Sequence, residues 1–199
     1  RDEPPAPMDE VLSAALHAFA THGYQGVSVR TLNRELGVSH NLLHQRFGSK
    51  LDIWYAAVEW GFGRLTEELG QALSGATDPL EQLRRFIRTF VEFSARHPDL
   101  QRLVIQEGGS PSERLTHLLD RYVRPTVAAL APTLVGLVRS HQVRPVPPEV
   151  VYHLVTSAGT NYSSDALTRE LFGAGALAAE SIPRYAEAVA TVILDGLTT

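Results

Sequence analysis

Between Ser28 and Lys50 the chain gathers hydroxyls, imidazoles, amides and cations: Ser28, Arg30, Ser39, His40, Asn41, His44, Gln45, Arg46 and Lys50. These groups suit recognition of a polyanion. Hydroxyls and backbone N–H groups at helix starts donate to phosphate oxygens, and Lys50 offers a point charge. Asn41 and Gln45 can pair bidentately with adenine, and His40 can donate to guanine. Arg30 and Arg46 suit either phosphates or base edges.

Such groups act together only if helices present them at the right spacing. Ser28 is placed to cap a helix whose apolar face is Val29, Leu32 and Leu36. Gly37 ends it where the backbone needs a positive φ. Ser39 caps the next helix, His40 to Phe47, with Leu43 and Phe47 turned inward at i, i+4. This helix–turn–helix spacing lays a recognition helix in the DNA major groove. A preceding helix from Met8 carries Val11, Leu12, Ala15, Leu16, Phe19 and Ala20, and Gly23 is expected to stop it. Ser49 caps a fourth helix through Trp54, Val58, Phe62, Leu65 and Leu69.

Net charge is −4 over 199 residues, which alone argues against nucleic acid. The distribution reverses that argument. Residues 24–50 hold Arg30, Arg34, Arg46 and Lys50 against the single acid Glu35, a local +3. A basic head on an acidic remainder is an oriented electrostatic footprint. The chain contains no cysteine, so thiolate chemistry and disulfides are excluded. No apolar run approaches the ~20 residues of a membrane-spanning helix. The acidic, proline-rich start RDEPPAPMDE is unlike a secretory leader. The expected location is the cytoplasm.

The rest of the chain reads as helix. Asp78-Pro79 opens one carrying Leu83, Phe86, Ile87, Phe90, Val91 and Phe93, and a short one covers 99–107. A long stretch from Pro111-Ser112 to His141 contains Pro125 and Pro132, so a break or kink is expected at one or both. Pro147-Pro148 starts another helix, Asp165 to Phe172 a shorter one, and Ser181 with Pro183 the last, to about Leu197.

Competing chemistries are weaker. His40 and His44 stand at i, i+4, a spacing that can hold zinc, but no general-base glutamate or third ligand accompanies them. Gly61-Phe-Gly63 lacks the preceding strand of a dinucleotide fold. Ser, His and Asp residues occur without a nucleophile elbow. Neither catalysis nor a cofactor or metal is expected. Phe86, Phe90 and Phe93 at i, i+4, i+7, with Trp54, Phe62 and Tyr122, read first as core. Gly61, Gly63 and Gly70 inside one helix suggest close packing or a bend.

The stretch from Val11 to about Val58 resembles the N-terminal domain of the TetR family of transcriptional regulators. The matching pieces are VLSAALHAFATHGYQGVSV, RELGVS and LLHQRFGSK, with Gly23-Tyr24 ending the first helix, Gly37 to Ser39 in the turn, and Phe47 to Lys50 closing the motif. Beyond it, the resemblance lies in length, helical character and the Arg96-His97-Pro98-Asp99 turn. His44 stands where the family usually has a phosphate-touching tyrosine. Protonated, it would grip phosphate harder, so binding would tighten as pH falls.

The resemblance implies an all-α protein of two parts: a helix-turn-helix DNA-binding domain over 8–50, and a helical effector-binding and dimerisation domain over 51–199. It implies a homodimer joined through helices at about 148–163 and 182–197, gripping a palindromic double-stranded operator. Half-sites would lie about 34–36 Å apart. It also implies an effector pocket, for which Trp54, Phe62, Phe86, Phe90, Phe93, Gln106, His117, Arg121 and Tyr122 are the candidate contacts. The expected function is a repressor released from DNA by a small, mostly apolar molecule. The alternatives are a dimeric DNA-binding protein without such control and, more remotely, a small helical metal-dependent enzyme.

Overall fold

The computed structural model of the chain describes residues 7–37, 42–162, 170–173 and 178–198. Helices run in the order α1 (Met8–Gly26), α2 (Val29–Glu35), α3 (Leu42–Phe47), α4 (Lys50–Ser74), α5 (Pro79–Arg96), α6 (Pro98–Gly108), α7 (Glu113–Leu118), α8 (Arg124–Arg139), α9 (Pro148–Tyr162) and α10 (Ile182–Leu197). Among the described residues the only β pairing is an isolated bridge between Val143 and Thr198. The architecture is all-α.

The chain divides into two compact units. One comprises residues to Arg64 together with Asp99–Leu115; the other comprises Leu65–Pro98 and Thr116–Thr199. Helical periodicity builds the first core. Val11, Ala15 and Phe19 of α1 fall on one stripe, and Ile53, Trp54, Ala57 and Val58 on α4 face inward with Leu32, Leu43, Leu100 and Leu103. Trp54 is fully buried. Helical hydrogen bonding in α1 does not stop at Gly23. It resumes to Gly26 across a break where Gly23 takes φ 69° and ψ 163°. A side chain would strain that conformation, so the glycine lets the helix change course rather than end.

In the second unit, α5 packs against α8, α9 and α10 around Leu83, Ile87, Val91, Leu137, Val155, Ala190 and Leu194. Asp78 caps α5 by accepting from the Glu81 N–H at 2.8 Å. Arg84 donates to Glu187 of α10 at 2.8 Å and to Thr191 at 3.1 Å. Arg88 lies 3.6 Å from the same Glu187 carboxylate, tying α5 to α10 along an ion-pair ladder. Where α9 meets α5, Gly159 leaves no room for a side chain: a Cβ there would sit 2.7 Å from that of Ser94.

The two prolines in the 111–141 stretch behave differently. Leu119–Val123 forms a π-helical turn directly ahead of Pro125, and the Arg124 N–H bonds back to Leu119. The wider turn moves carbonyls away from the pyrrolidine ring. Pro132 instead lies inside α8, which continues through it to Arg139. Of the helix expected at 165–172, only Glu170–Phe172 falls among the described residues, and it is helical. The last helix starts at Ile182, one residue before Pro183.

Candidate nucleic-acid interface

The head is assembled from short, locally specified pieces. The Ser28 side chain accepts from the Thr31 N–H at 3.0 Å and caps α2. Its hydroxyl also lies 2.8 Å from the Thr31 hydroxyl, so Ser28 is already engaged locally. Gly37 takes φ 63° in the turn after α2. Leu32 and Leu43 are buried, fixing α2 and α3 to the core beneath them.

That packing decides what faces out. With Leu43 inside, the next three residues of α3, His44, Gln45 and Arg46, are all exposed. Arg30 and Arg34 on α2 are exposed as well. Three of the expected contacts, Ser39, His40 and Asn41, lie outside the described residues. So does one partner of the i, i+4 histidine pair. Among the described residues no group of three or more His, Cys, Asp or Glu is placed to hold a metal ion.

Lys50 begins α4, and a reciprocal cap fixes that helix end. The Ser49 N–H donates to the Asp52 carboxylate at 3.0 Å, the Ser49 hydroxyl donates to it at 2.6 Å, and the Asp52 N–H donates to the Ser49 oxygen at 3.2 Å. This is a capping box with aspartate in the acidic position. The Ser49 hydroxyl and then its N–H hold the Asp52 carboxyl below its usual range. A group held low in the fold stabilises it above the ordinary aspartate range, about 3.9, and loses that contribution as pH falls through its lowered value. Asp52→Ala is therefore expected to melt at a lower temperature than the parent at pH 7. The gap should close in melts recorded progressively below about pH 4.

The Lys50 ammonium sits 4.2 Å from the centre of the Tyr24 ring. Burial, and secondly the nearby Arg114 guanidinium, hold it below the usual lysine range. A cation at a helix N-terminus opposes the helix dipole. Among the described residues no carboxylate pairs with Lys50, and its partner is the Tyr24 ring.

Arg114, Glu113 and Glu107 carry no signal that marks them in the sequence. The Arg114 guanidinium lies 4.0 Å from the centre of the same Tyr24 ring. It donates to the buried Glu107 at 2.8 Å. Glu113 accepts from the Tyr55 hydroxyl at 2.9 Å; burial first, and then that bond, raise the tyrosine above its usual range. Gln106, expected to orient an effector, donates its amide to the Ala20 carbonyl at 2.6 Å.

The remaining effector candidates divide by unit. Trp54 and Phe62 are buried in the first. Phe86, Phe90, Phe93, His117, Arg121 and Tyr122 belong to the second. There Phe86, Phe93 and Tyr122 are buried, Arg121 is exposed, and His117 meets the Tyr122 ring edge-on at 5.9 Å.

A basic helix-turn-helix head with a helical body defines a DNA-binding regulator. Residues 11–57 match the family described as bacterial regulatory proteins, tetR family, and residues 79–193 match the tetracyclin repressor-like C-terminal domain. The chain belongs to the TetR family of transcriptional regulators. It is 25% identical to the transcriptional repressor SCO4008 of Streptomyces coelicolor, over 97% of both chains. It is 30% identical to the transcriptional activator FasR of Mycolicibacterium smegmatis, over half of this chain and 48% of that protein. The ketosteroid transcriptional regulator KstR2 of Mycobacterium tuberculosis shares the fold, with a TM-score of 0.75, 16% identity, and coverage of 98% of this chain and 96% of that one.

Proposed function

We propose that the chain works as a homodimeric repressor that binds a palindromic operator and is released by a small, mostly apolar effector. The observation that carries the DNA reading is the face of α3, which buries Leu43 and exposes His44, Gln45 and Arg46 together. Gln45 reads base edges, with His40 and Asn41. Arg30, Arg46 and Lys50 take phosphates, and His44 joins them. Ser28 and Ser39 serve as helix-start contacts to the backbone.

Dimerisation is supported by apolar side chains left outside on α9 and α10. Val150, Tyr152 and Leu154 are exposed on α9, and Val192 on α10 is 72% exposed. Ala188, Val192 and Gly196 follow one another at i, i+4, i+8 on an exposed stripe, small enough for two helices to meet closely. An apolar effector is supported by the aromatic side chains gathered in the second unit, Phe86, Phe90, Phe93 and Tyr122, and by the ketosteroid named for KstR2. It need only bind one conformational state more tightly than the other. The burial of Phe86, Phe93 and Tyr122 favours the second reading, in which the body serves dimerisation alone.

Operator selection from random duplexes, followed by binding titrations over a range of salt, tests the DNA reading. Lys50→Ala should weaken every duplex about equally and reduce the salt slope by about 0.9, the share of one phosphate. Gln45→Ala should instead relax the preference at one base pair, at about 1–3 kcal/mol of discrimination. A Lys50→Ala protein with the parent's affinity and slope would remove that lysine from the interface. A screen for compounds that raise the melting temperature and release operator tests the effector reading. Stabilisers that leave DNA affinity unchanged count for the body as a dimerisation core.

A further inference from the structure

One aromatic ring in the first unit receives the chain's only lysine. The Lys50 ammonium lies 4.2 Å from the centre of the Tyr24 ring. The ring itself is held by its neighbours. It stacks on the buried Phe19, 5.9 Å centre to centre and 18° from parallel. The Arg114 guanidinium lies 4.0 Å from the same ring centre, and its Nε is fixed to the buried Glu107 carboxylate at 2.8 Å. Tyr24 also follows directly on Gly23, where α1 changes course, and Gln106 pins that bend by donating to the Ala20 carbonyl at 2.6 Å. The ring is thus a fixed surface, and Lys50 is a long arm laid on it. Lys50 is half-buried rather than enclosed, and Gly48 and Ser49 beside it are exposed.

A ring and a carboxylate hold an ammonium differently. A carboxylate would fix the lysine and cancel its charge. The ring attracts the cation through its electron-rich face and leaves the positive charge in place. It also leaves N–H donors free, since an ammonium carries three. We propose that Tyr24 is a positioning residue for DNA binding: its ring holds the Lys50 ammonium at the start of α4, so that a backbone phosphate meets a cation already ordered. The proposal rests on the reading of Lys50 as a phosphate contact. Ring and phosphate then share the ammonium. A free lysine arm would have to be ordered by the phosphate itself, and that ordering costs affinity. Held on the ring, Lys50 gives up its freedom when the chain folds instead.

The first test titrates a random-sequence duplex over a range of salt, since a phosphate contact needs no particular operator. Tyr24→Leu keeps an apolar side chain and removes the ring. It is expected to bind about two- to tenfold more weakly, the cost of immobilising one long side chain at an interface. Tyr24→Phe keeps the ring and should bind as the parent does. In the Lys50→Ala background Tyr24→Leu should change nothing. Equal losses with and without Lys50 would mean that Tyr24 acts by itself, and would overturn the proposal. So would a Tyr24→Phe protein as weak as Tyr24→Leu, or a Tyr24→Leu protein with the parent's affinity. Tighter binding by Tyr24→Leu overturns it as well, since the ring would then be withholding Lys50 from DNA. If Lys50→Ala alone leaves affinity and slope untouched, it is the phosphate reading of Lys50 that has failed, and the proposal falls with it.

A second pair of measurements does not depend on how well Tyr24→Leu folds. Lys50 is the only lysine in the chain, so lysine labelled at Cε gives one NMR resonance from this site. In the parent its methylene protons should lie upfield of free lysine, shielded by the ring, and should stay upfield when the protein is saturated with the duplex. A ring-fluorinated phenylalanine in place of Tyr24 keeps the shape but draws electron density from the face that attracts the cation. It should bind DNA more weakly than Tyr24→Phe, and that difference should vanish in the Lys50→Ala background. A methylene resonance at the free-lysine position in the parent, or one that moves there as DNA binds, overturns the proposal. So does DNA affinity that fluorination of the ring leaves unchanged.

Discussion

Val192→Asp is expected to leave the chain monomeric at concentrations where the parent is a dimer, and to weaken operator binding about a hundredfold or more. Val192 is 72% exposed on α10, within the stripe Ala188, Val192 and Gly196, so replacing it disturbs little inside the protomer. Across the proposed two-fold axis it would meet its own copy or a close neighbour, since an isologous interface pairs the same patch with itself. Two carboxylates would then be desolvated against apolar surface. Two heads on one operator gain roughly 10²–10⁴ over one from their effective concentration. Splitting the dimer forfeits that gain while each head stays folded. Sedimentation and operator titration of the same preparation check both halves of the expectation. A variant that stays dimeric and binds normally would move the interface elsewhere, with the exposed Val127 and Val135 of α8 as the next surface to test.

What the chain makes plain in one dimension is what short-range chemistry dictates. Ser28 and Ser49 cap helices three residues ahead of the groups they satisfy, and Gly37 takes the positive φ of its turn. The exposed side of α3 follows from Leu43 alone, because burying one residue of a helix sets the direction of its neighbours. The TetR resemblance rested on this local grammar, and the family match spans the same residues.

Long-range pairings leave no such trace. Gln106 looks like a free polar side chain in the sequence, but it serves the carbonyl of Ala20, 86 positions away. Arg114 reads as one more arginine on an amphipathic helix, yet it lies over Tyr24 and is locked to Glu107. The Gly-Tyr pair was visible as a motif; the use of its ring by two cations was not. Gly23 shows a subtler difference. Glycine signals that the helix must do something unusual, and here α1 bends across it and resumes to Gly26. The same ambiguity applies to Pro125, where a π-turn replaces a break. Aromatic spacing in α5 announced a buried face, but the same spacing serves a packed core and a ligand pocket.

The three glycines of α4 separate these cases experimentally. Gly61, Gly63 and Gly70 occupy one helix, and each is expected to cost roughly 1 kcal/mol relative to alanine by propensity alone. Their surroundings differ. A Cβ at Gly61 would come within 2.7 Å of Leu100 Cδ2 and 3.1 Å of Leu16 Cδ2, whereas nothing lies within 4 Å of one at Gly63 or Gly70. Leu100 and Leu16 are both buried, so neither leucine can swing away without displacing other core side chains. Gly63→Ala and Gly70→Ala should therefore stabilise the protein by about 0.5–1 kcal/mol each. Gly61→Ala should destabilise it, because overpacking costs about 1–3 kcal/mol and outweighs the propensity gain. Gly61→Val adds two methyl groups and loses the helix preference of alanine, so its loss should exceed about 3 kcal/mol. Denaturant unfolding of the four variants reads these signs directly. Leu100→Ala should recover much of the loss in Gly61→Val, since shortening the facing side chain makes room for the new one. If the double variant is no more stable than Gly61→Val alone, the close approach of α4 to Leu100 is not what fixes a glycine at position 61.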